Sequence, residues 1–341
     1  MDALLTILKG IGQFPIRHKW KILALPFIAL AWAVVIFPYG DLRGLASSQV
    51  SKLMPGTALD FQNVSLGIGT PLAIVLEEVE FERPGTPALK ADRVSASPAL
   101  STLFGGAPGG SVSASGLFEG SLQASLKTAS KEGKDGAPAT FRHDIKGSAT
   151  DIQVGALTSS LKRAGLLGLT AKGQLSSDFD LSVDPSFQSN PAGSLSLSGT
   201  SIEIPAISIP LPGMGPVQLP SLQFGKLDFK GRLQEGNLAI EELVLGQSTD
   251  ALSGRMRGKL GLALRGGDGR MNANISDVDL NIELSVSDKL MGSFLGQAID
   301  LLISKYKQKA AATASITKYR FRLRLPQLGM TPNFSEAAAF D

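Results

Sequence analysis

Gly225-Lys226-Leu227-Asp228-Phe229-Lys230-Gly231 decides how this chain folds. Large apolar residues stand at every second position with charged residues between them, the period of a strand that buries one face and wets the other. A helix would bring its apolar residues back every three or four positions instead. The same unit, a glycine followed by alternating apolar positions, begins at Gly120 with Leu122, Ala124 and Leu126, and at Gly193 with Leu195 and Leu197. It returns at Gly269 with Met271, Ala273 and Ile275. The spacing between units is unequal, which fits a meandering antiparallel sheet better than a solenoid of fixed repeats.

Composition agrees. In 341 residues there are 38 glycines, only 6% aromatic residues and 18% charged ones, a balance suited to many short strands and turns. The 33 basic residues nearly match the 30 acidic ones, a balance that excludes the cationic excess of a dedicated nucleic-acid binder. With no cysteine, disulfides, thiol nucleophiles and thiolate metal sites are excluded.

The N-terminal stretch breaks the pattern. From Ile22 to Phe37 only Pro26 interrupts an apolar run, and Trp20 and Tyr39 flank it, giving the roughly 20 residues that cross a bilayer. Arg17, Lys19 and Lys21 precede it, so the positive-inside rule predicts residues 1–21 in the cytoplasm, 22–39 as a transmembrane helix and 40–341 exported. A signal peptide cleaved after Ala31-Trp32-Ala33 is the rival, opposed by the apolar run continuing through Val34 to Phe37.

Beyond it, Leu42, Leu45, Val50 and Leu53 predict a short helix ended by Pro55-Gly56, and from Thr57 the period becomes two. Asp151 is placed to cap a helix through Ile152, Leu157 and Leu161 that ends at Gly165 or Gly168. Ser287 is placed to cap a longer one through Leu290, Phe294, Leu302 and Tyr306. Each would cover one end of the apolar sheet face. Pro205 to Pro220, with Pro210, Pro212 and Pro216 inside it, reads as an extended segment along the rim of the sheet or across it, because proline cannot donate to a central ladder. The expected fold is therefore mainly β, a long curved antiparallel sheet of groove or half-barrel form with a few short helices.

Catalytic chemistry finds little support. Only His18 and His143 are present, and His143 beside Asp144 has no Gly-x-Ser-x-Gly elbow to serve, so it reads as a loop histidine. The pairs Asp277/Asp279 and Asp178/Asp180 alternate on strands without an EF-hand loop and read as wet strand faces. Gly266-Gly267-Asp268-Gly269 lacks the Walker lysine and reads as a hairpin turn. No enzyme, metal or cofactor is expected. The informative polar pattern is Lys318, Arg320, Arg322 and Arg324 alternating with Tyr319, Phe321, Leu323 and Leu325. It reads either as a wet face whose charges deter edge-to-edge pairing, or as a cation row facing lipid phosphates or an acidic partner, with Arg255, Arg257 and Lys259 as a second row.

In order along the chain, Ile36-Phe37-Pro38-Tyr39, then Leu166 through Leu181 with Gly168 and Gly173, then Gly225 to Gly231 with Gly236-Asn237-Leu238 and Gly258, and finally Tyr319 to Leu323 with Leu325-Pro326, resemble the type II secretion system protein N family. The likeness is to its longer form, related to the AsmA-like proteins, and covers the anchor and most of the exported part. The helical insert from Ser287 to Ala314 and the Pro-rich stretch depart from it. The resemblance implies a single-pass inner-membrane protein with a periplasmic groove-like sheet, no catalytic residues, and a scaffold or accessory role in secretion. Kinship with AsmA-like proteins implies the alternative, a groove that binds or transfers lipid. The expected partners are the inner membrane, secretion components and phospholipid, with no nucleic acid. The candidate contacts are Leu227, Phe229, Phe321, Leu323, Arg320, Arg322 and Arg324.

Overall fold

The computed structural model describes residues 42–337 apart from 54–55, 68–71, 83–87, 100–101, 103–106, 132–139, 164–169, 185–189, 212–214, 235, 268–269, 309–314 and 328–332. The chain divides into two compact units, Met1–Leu45 and Ala46–Asp341. The expected transmembrane segment, 22–39, lies outside the described residues, as does the stretch 1–21 expected in the cytoplasm. Among the described residues no helix is long and apolar enough to cross a membrane.

Helix α1 (Leu42–Leu53) stops at the predicted Pro55-Gly56 boundary. The strands are β1 (Ala58–Asp60), β2 (Asn63–Gly67), β3 (Ala73–Glu82), β4 (Leu89–Pro98), β5 (Gly109–Leu117), β6 (Gly120–Lys131) and β7 (Thr140–Gln153). After helix α2 (Val154–Arg163) come β8 (Lys172–Val183), β9 (Ala192–Ile204), β10 (Ile207–Leu211), β11 (Gly215–Leu219), β12 (Leu222–Gln234), β13 (Asn237–Leu245), β14 (Leu252–Gly267) and β15 (Arg270–Ser287). Helices α3 (Asp288–Met291) and α4 (Phe294–Ile303) and a 3-10 turn (Ser304–Tyr306) precede β16 (Ile316–Gln327) and β17 (Asn333–Ser335).

Fifteen of these strands form one antiparallel sheet in which nearly every strand pairs with the next in sequence. That is the meander the two-residue period predicts. The sheet is not closed: β1 and β2 share the free edge of β3 at one side, and the three-residue β17 ends the other. Short, split edges present few unpaired backbone groups for further chains to add to.

Tight turns make the meander possible. Phe118 and Glu119, both at positive φ (49° and 63°), join β5 to β6 with Leu117 paired to Gly120, the backbone of a type I′ hairpin without its usual glycine. Gly267 pairs with Arg270, so the Gly-rich segment read as a hairpin turn does connect two paired strands.

Three expectations change in detail. Asp151 does not cap α2: it sits inside β7 at φ 57°, where β7 takes up an extra residue against β8, and the helix begins at Val154. The predicted long helix from Ser287 is broken. Ser287 does cap α3, its hydroxyl accepting from the Leu290 N–H at 3.3 Å, but Gly292 ends that helix and Ser293 caps α4 by accepting from the Gly296 N–H at 3.3 Å. The Pro-rich stretch is extended, but rather than running as a single segment along the rim or across the sheet, β10 and β11 pair with each other as a ribbon outside the large sheet's ladder, Pro210 opposite Pro216. A two-stranded ribbon has free edges on both sides, so proline's missing N–H breaks no central ladder there.

The core is split into two clusters at the same end of the strands. Val154 of α2 packs with Ala171, Ile202 and Phe224. Leu290, Ile303 and Tyr306 of the helical insert pack on Val286, Tyr319 and Phe321. Leu222 and Leu252 touch both clusters and join them. Each helix covers an end of the apolar face, as expected, and both lie at the same end.

Candidate apolar binding face

Strand register lines up apolar residues across the sheet. One row runs from Ile74 through Ala96, Val112, Ala124, Gly147, Phe179 and Leu195, then Gly231, Ile240, Gly258, Leu280, Leu323 and Phe334. At about 4.8 Å per strand that row is about 60 Å long. A parallel row joins Leu76, Val94, Ala114, Leu122 and Ala149, through the polar Ser177, to Leu197, Phe229, Leu243, Met256, Ile282 and Phe321. The small residues in these rows are filled from the side: a Cβ on Gly147 would strike the Phe179 ring, and one on Gly231 the Phe229 ring. The rings lie across the neighbouring backbone and pave the face.

The described helices cover only the end of this face near the two core clusters. Within the rows Ile240, Leu280 and Phe321 are buried, at 7 to 8% exposure, so the uncovered part runs from β3 to β12, where Leu122, Ile145, Phe179, Leu181, Leu197 and Phe229 are half-buried and Leu195 and Ile74 are exposed at 37% and 46%. An uncovered apolar patch on this scale is the mark of a binding surface.

The candidate contacts fall into two groups. Leu227 packs beside the cluster under α2, whereas Phe229 belongs to the uncovered rows. Phe321, at 7% exposure, is core beneath the helical insert, with Tyr306 and Phe334 rings 6.3 and 5.8 Å away; Leu323 packs at its margin. Phe321 is therefore corrected from a surface contact to a core residue, because the insert predicted by the sequence lies on top of it.

Arg320, Arg322 and Arg324 project from the opposite face, and each meets a carboxylate of β15. Arg320 contacts Glu283 at 2.7 Å, Arg322 clamps Asp279 with two bonds of 2.5 and 2.6 Å, and Arg324 approaches Asp279 at 3.6 Å. The second basic row stands on β14, with Arg255 opposite Glu283 and Lys259 opposite Asp279. Acidic β15 thus lies between two basic strands, and from β14 Arg257 reaches Glu242 of β13 at 3.9 Å. The Arg322 hydrogen bonds hold the Asp279 carboxyl below the usual carboxylate range, helped by the charges of Arg322, Arg324 and Lys259 and opposed by burial. The arginine row is neutralised across strands, the behaviour of a wet face rather than of a free phosphate-binding row.

His143 lies in β7, not in a loop, and its Nδ1 is 3.0 Å from the Thr128 hydroxyl on β6. Asp180 is engaged by Lys146 at 2.7 Å, and no cluster of three metal-ligating side chains occurs among the described residues. A cleft of about 850 Å³ lies between α2 and the ends of neighbouring strands, lined by Lys90, Arg163, Lys172 and Glu119.

Sequence reading missed how far the face extends. Phe179 and Val112 were not singled out, yet they complete the first row between the segments that were, and Ile145 continues the face beside it, opposite Leu126 and Leu181. It also missed the partners of the arginines, though Asp279 and Glu283 show the same four-residue spacing as Arg320 and Arg324. Comparison with protein-family models, with curated proteins and with solved structures finds no match.

Proposed function

We propose that the protein is a non-catalytic, single-pass inner-membrane protein whose exported sheet curves into a groove and binds phospholipid acyl chains. The observation that carries this reading is the uncovered apolar face continued strand after strand by register. Each large apolar side chain left in water forfeits roughly 1.5 to 3 kcal/mol, so a face of this length calls for an occupant. The paving aromatic rings support a pliable, chain-like occupant that needs area rather than shaped pockets. Apolar residues 22–39 and the cations before them support the anchor and its orientation, with residues 1–21 cytoplasmic and 40–341 periplasmic.

A scaffold or accessory role in type II secretion is the second reading, supported by the ordered family resemblance and consistent with the same anchor. In that case a protein partner would occupy the face.

Native mass spectrometry after gentle extraction separates them. The expected result is co-purified phospholipid, lost when Leu195 and Phe229 are both replaced by Asp, with unchanged far-ultraviolet circular dichroism as the folding control. Lipid-free protein that captures secretion components would replace the first reading with the second.

A further inference from the structure

We propose that α4 carries a second lipid-directed surface, an outward stripe that docks on the headgroup region of an anionic bilayer. The inner side of α4 is accounted for, with Leu295, Ile299 and Ile303 packed in the core cluster. Its outer side is also apolar: Phe294 is 40% exposed, Leu302 67% and Leu301 84%, the last two being the most exposed large apolar side chains among the described residues. A helix that is apolar all round belongs in a core or at an interface.

The charges select the occupant. Lys305, in the 3-10 turn that directly follows α4, is exposed. Asp300, the one carboxylate of α4, keeps its side chain 38% exposed but is engaged, accepting the Tyr319 hydroxyl at 2.6 Å, with Lys307 at 3.9 Å. On α3, Asp288 and Lys289 offset each other. The outward stripe is therefore followed by the exposed Lys305, while the Asp300 charge is taken up by Tyr319 and Lys307, a balance that matches anionic phospholipid headgroups. Area points the same way: three side chains expose a few hundred Å² at most, against the roughly 800 Å² per partner of a stable protein interface. A bilayer surface accepts so few apolar side chains when cations assist. This surface is distinct from the sheet face, and its test does not depend on what that face holds.

The chain has no cysteine, so Leu301→Cys gives one spin-label position in the full-length protein, and Gln123→Cys on β6 gives a control. Both are reconstituted into phosphatidylcholine vesicles with and without phosphatidylglycerol, and accessibility to oxygen and to a nickel chelate is measured by power saturation. The expected result is a several-fold rise in the oxygen-to-nickel ratio at Leu301→Cys in anionic vesicles only, abolished by Lys305→Glu with Lys307→Glu, and no change at Gln123→Cys. A Leu301→Cys label that stays in water in both vesicle types overturns the proposal. So does spin–spin broadening between copies, or a label already shielded in detergent, which would assign the stripe to a second copy or another protein.

Discussion

Tyr319 fastens the helical insert to the sheet. It is 1% exposed, and its hydroxyl donates to Asp300 of α4 at 2.6 Å, so one side chain joins β16 to a helix nineteen residues earlier. Burial, then the Asp300 hydrogen bond and charge, raise its hydroxyl above the ordinary tyrosine range. Tyr319→Phe should cost about 1.5 to 3 kcal/mol in urea unfolding, the usual worth of a hydrogen bond to a charged group. Asp279 is the corresponding residue on the wet face. Because its folded pKa is depressed, its stabilisation is present above the unfolded value near pH 4 and is lost as pH falls through the lower folded one. Asp279→Asn should therefore cost about 1 kcal/mol at pH 7 and much less at pH 2, read as two urea titrations.

At the scale of elements, the sheet depends on a few backbone positions that side chains cannot occupy. Gly193 on β9 has φ 148°, and a Cβ there would collide with the carbonyl of Asp180 on β8. Gly258 on β14 is alike, at φ 151° against the carbonyl of Asp279. Gly193→Ala should destabilise by about 1 to 3 kcal/mol, whereas Gly44→Ala on α1, where a Cβ meets nothing, should be neutral or slightly stabilising. Thermal unfolding of the two variants side by side checks the contrast. Basic and acidic strands alternate from β13 to β16, but because arginines recur at every second position of β16 a slip of two residues would put Arg320 or Arg324 in the place of Arg322, so the charges alone do not fix the register.

For the whole molecule, the question is what a sheet of fifteen strands does with an apolar face that its own helices cover at one end only. An acyl-chain occupant makes stability depend on lipid, since a ligand bound only to the folded state raises the unfolding temperature by mass action. Delipidated protein should unfold several degrees lower than protein resupplied with phospholipid, and the Leu195→Asp, Phe229→Asp variant should lose that difference. Equal melting temperatures in both conditions would remove the support for a lipid-filled groove.

Much of the architecture was legible because alternation is a local property: a two-residue period in Gly225 to Gly231 needs no knowledge of neighbours to say which side chains share a face. Capping is equally local, so Ser287 announced a helix start. The break at Gly292-Ser293 was available in the same residues, but the apolar spacing running on through Leu302 outweighed it. What neighbouring strands do was not legible. Phe321 and Phe229 look alike as apolar residues alternating with cations, yet one lies beneath the helical insert and the other on the uncovered face. Likewise Arg322 reads as a free cation until Asp279, 43 residues away, is set against it. Sequence by itself determined the strands, their wet and greasy sides and the meander, because these follow from intervals of one or two residues. Only the tertiary structure decided which greasy residues are covered and which cations are neutralised, because both depend on register between strands and on where the helices land.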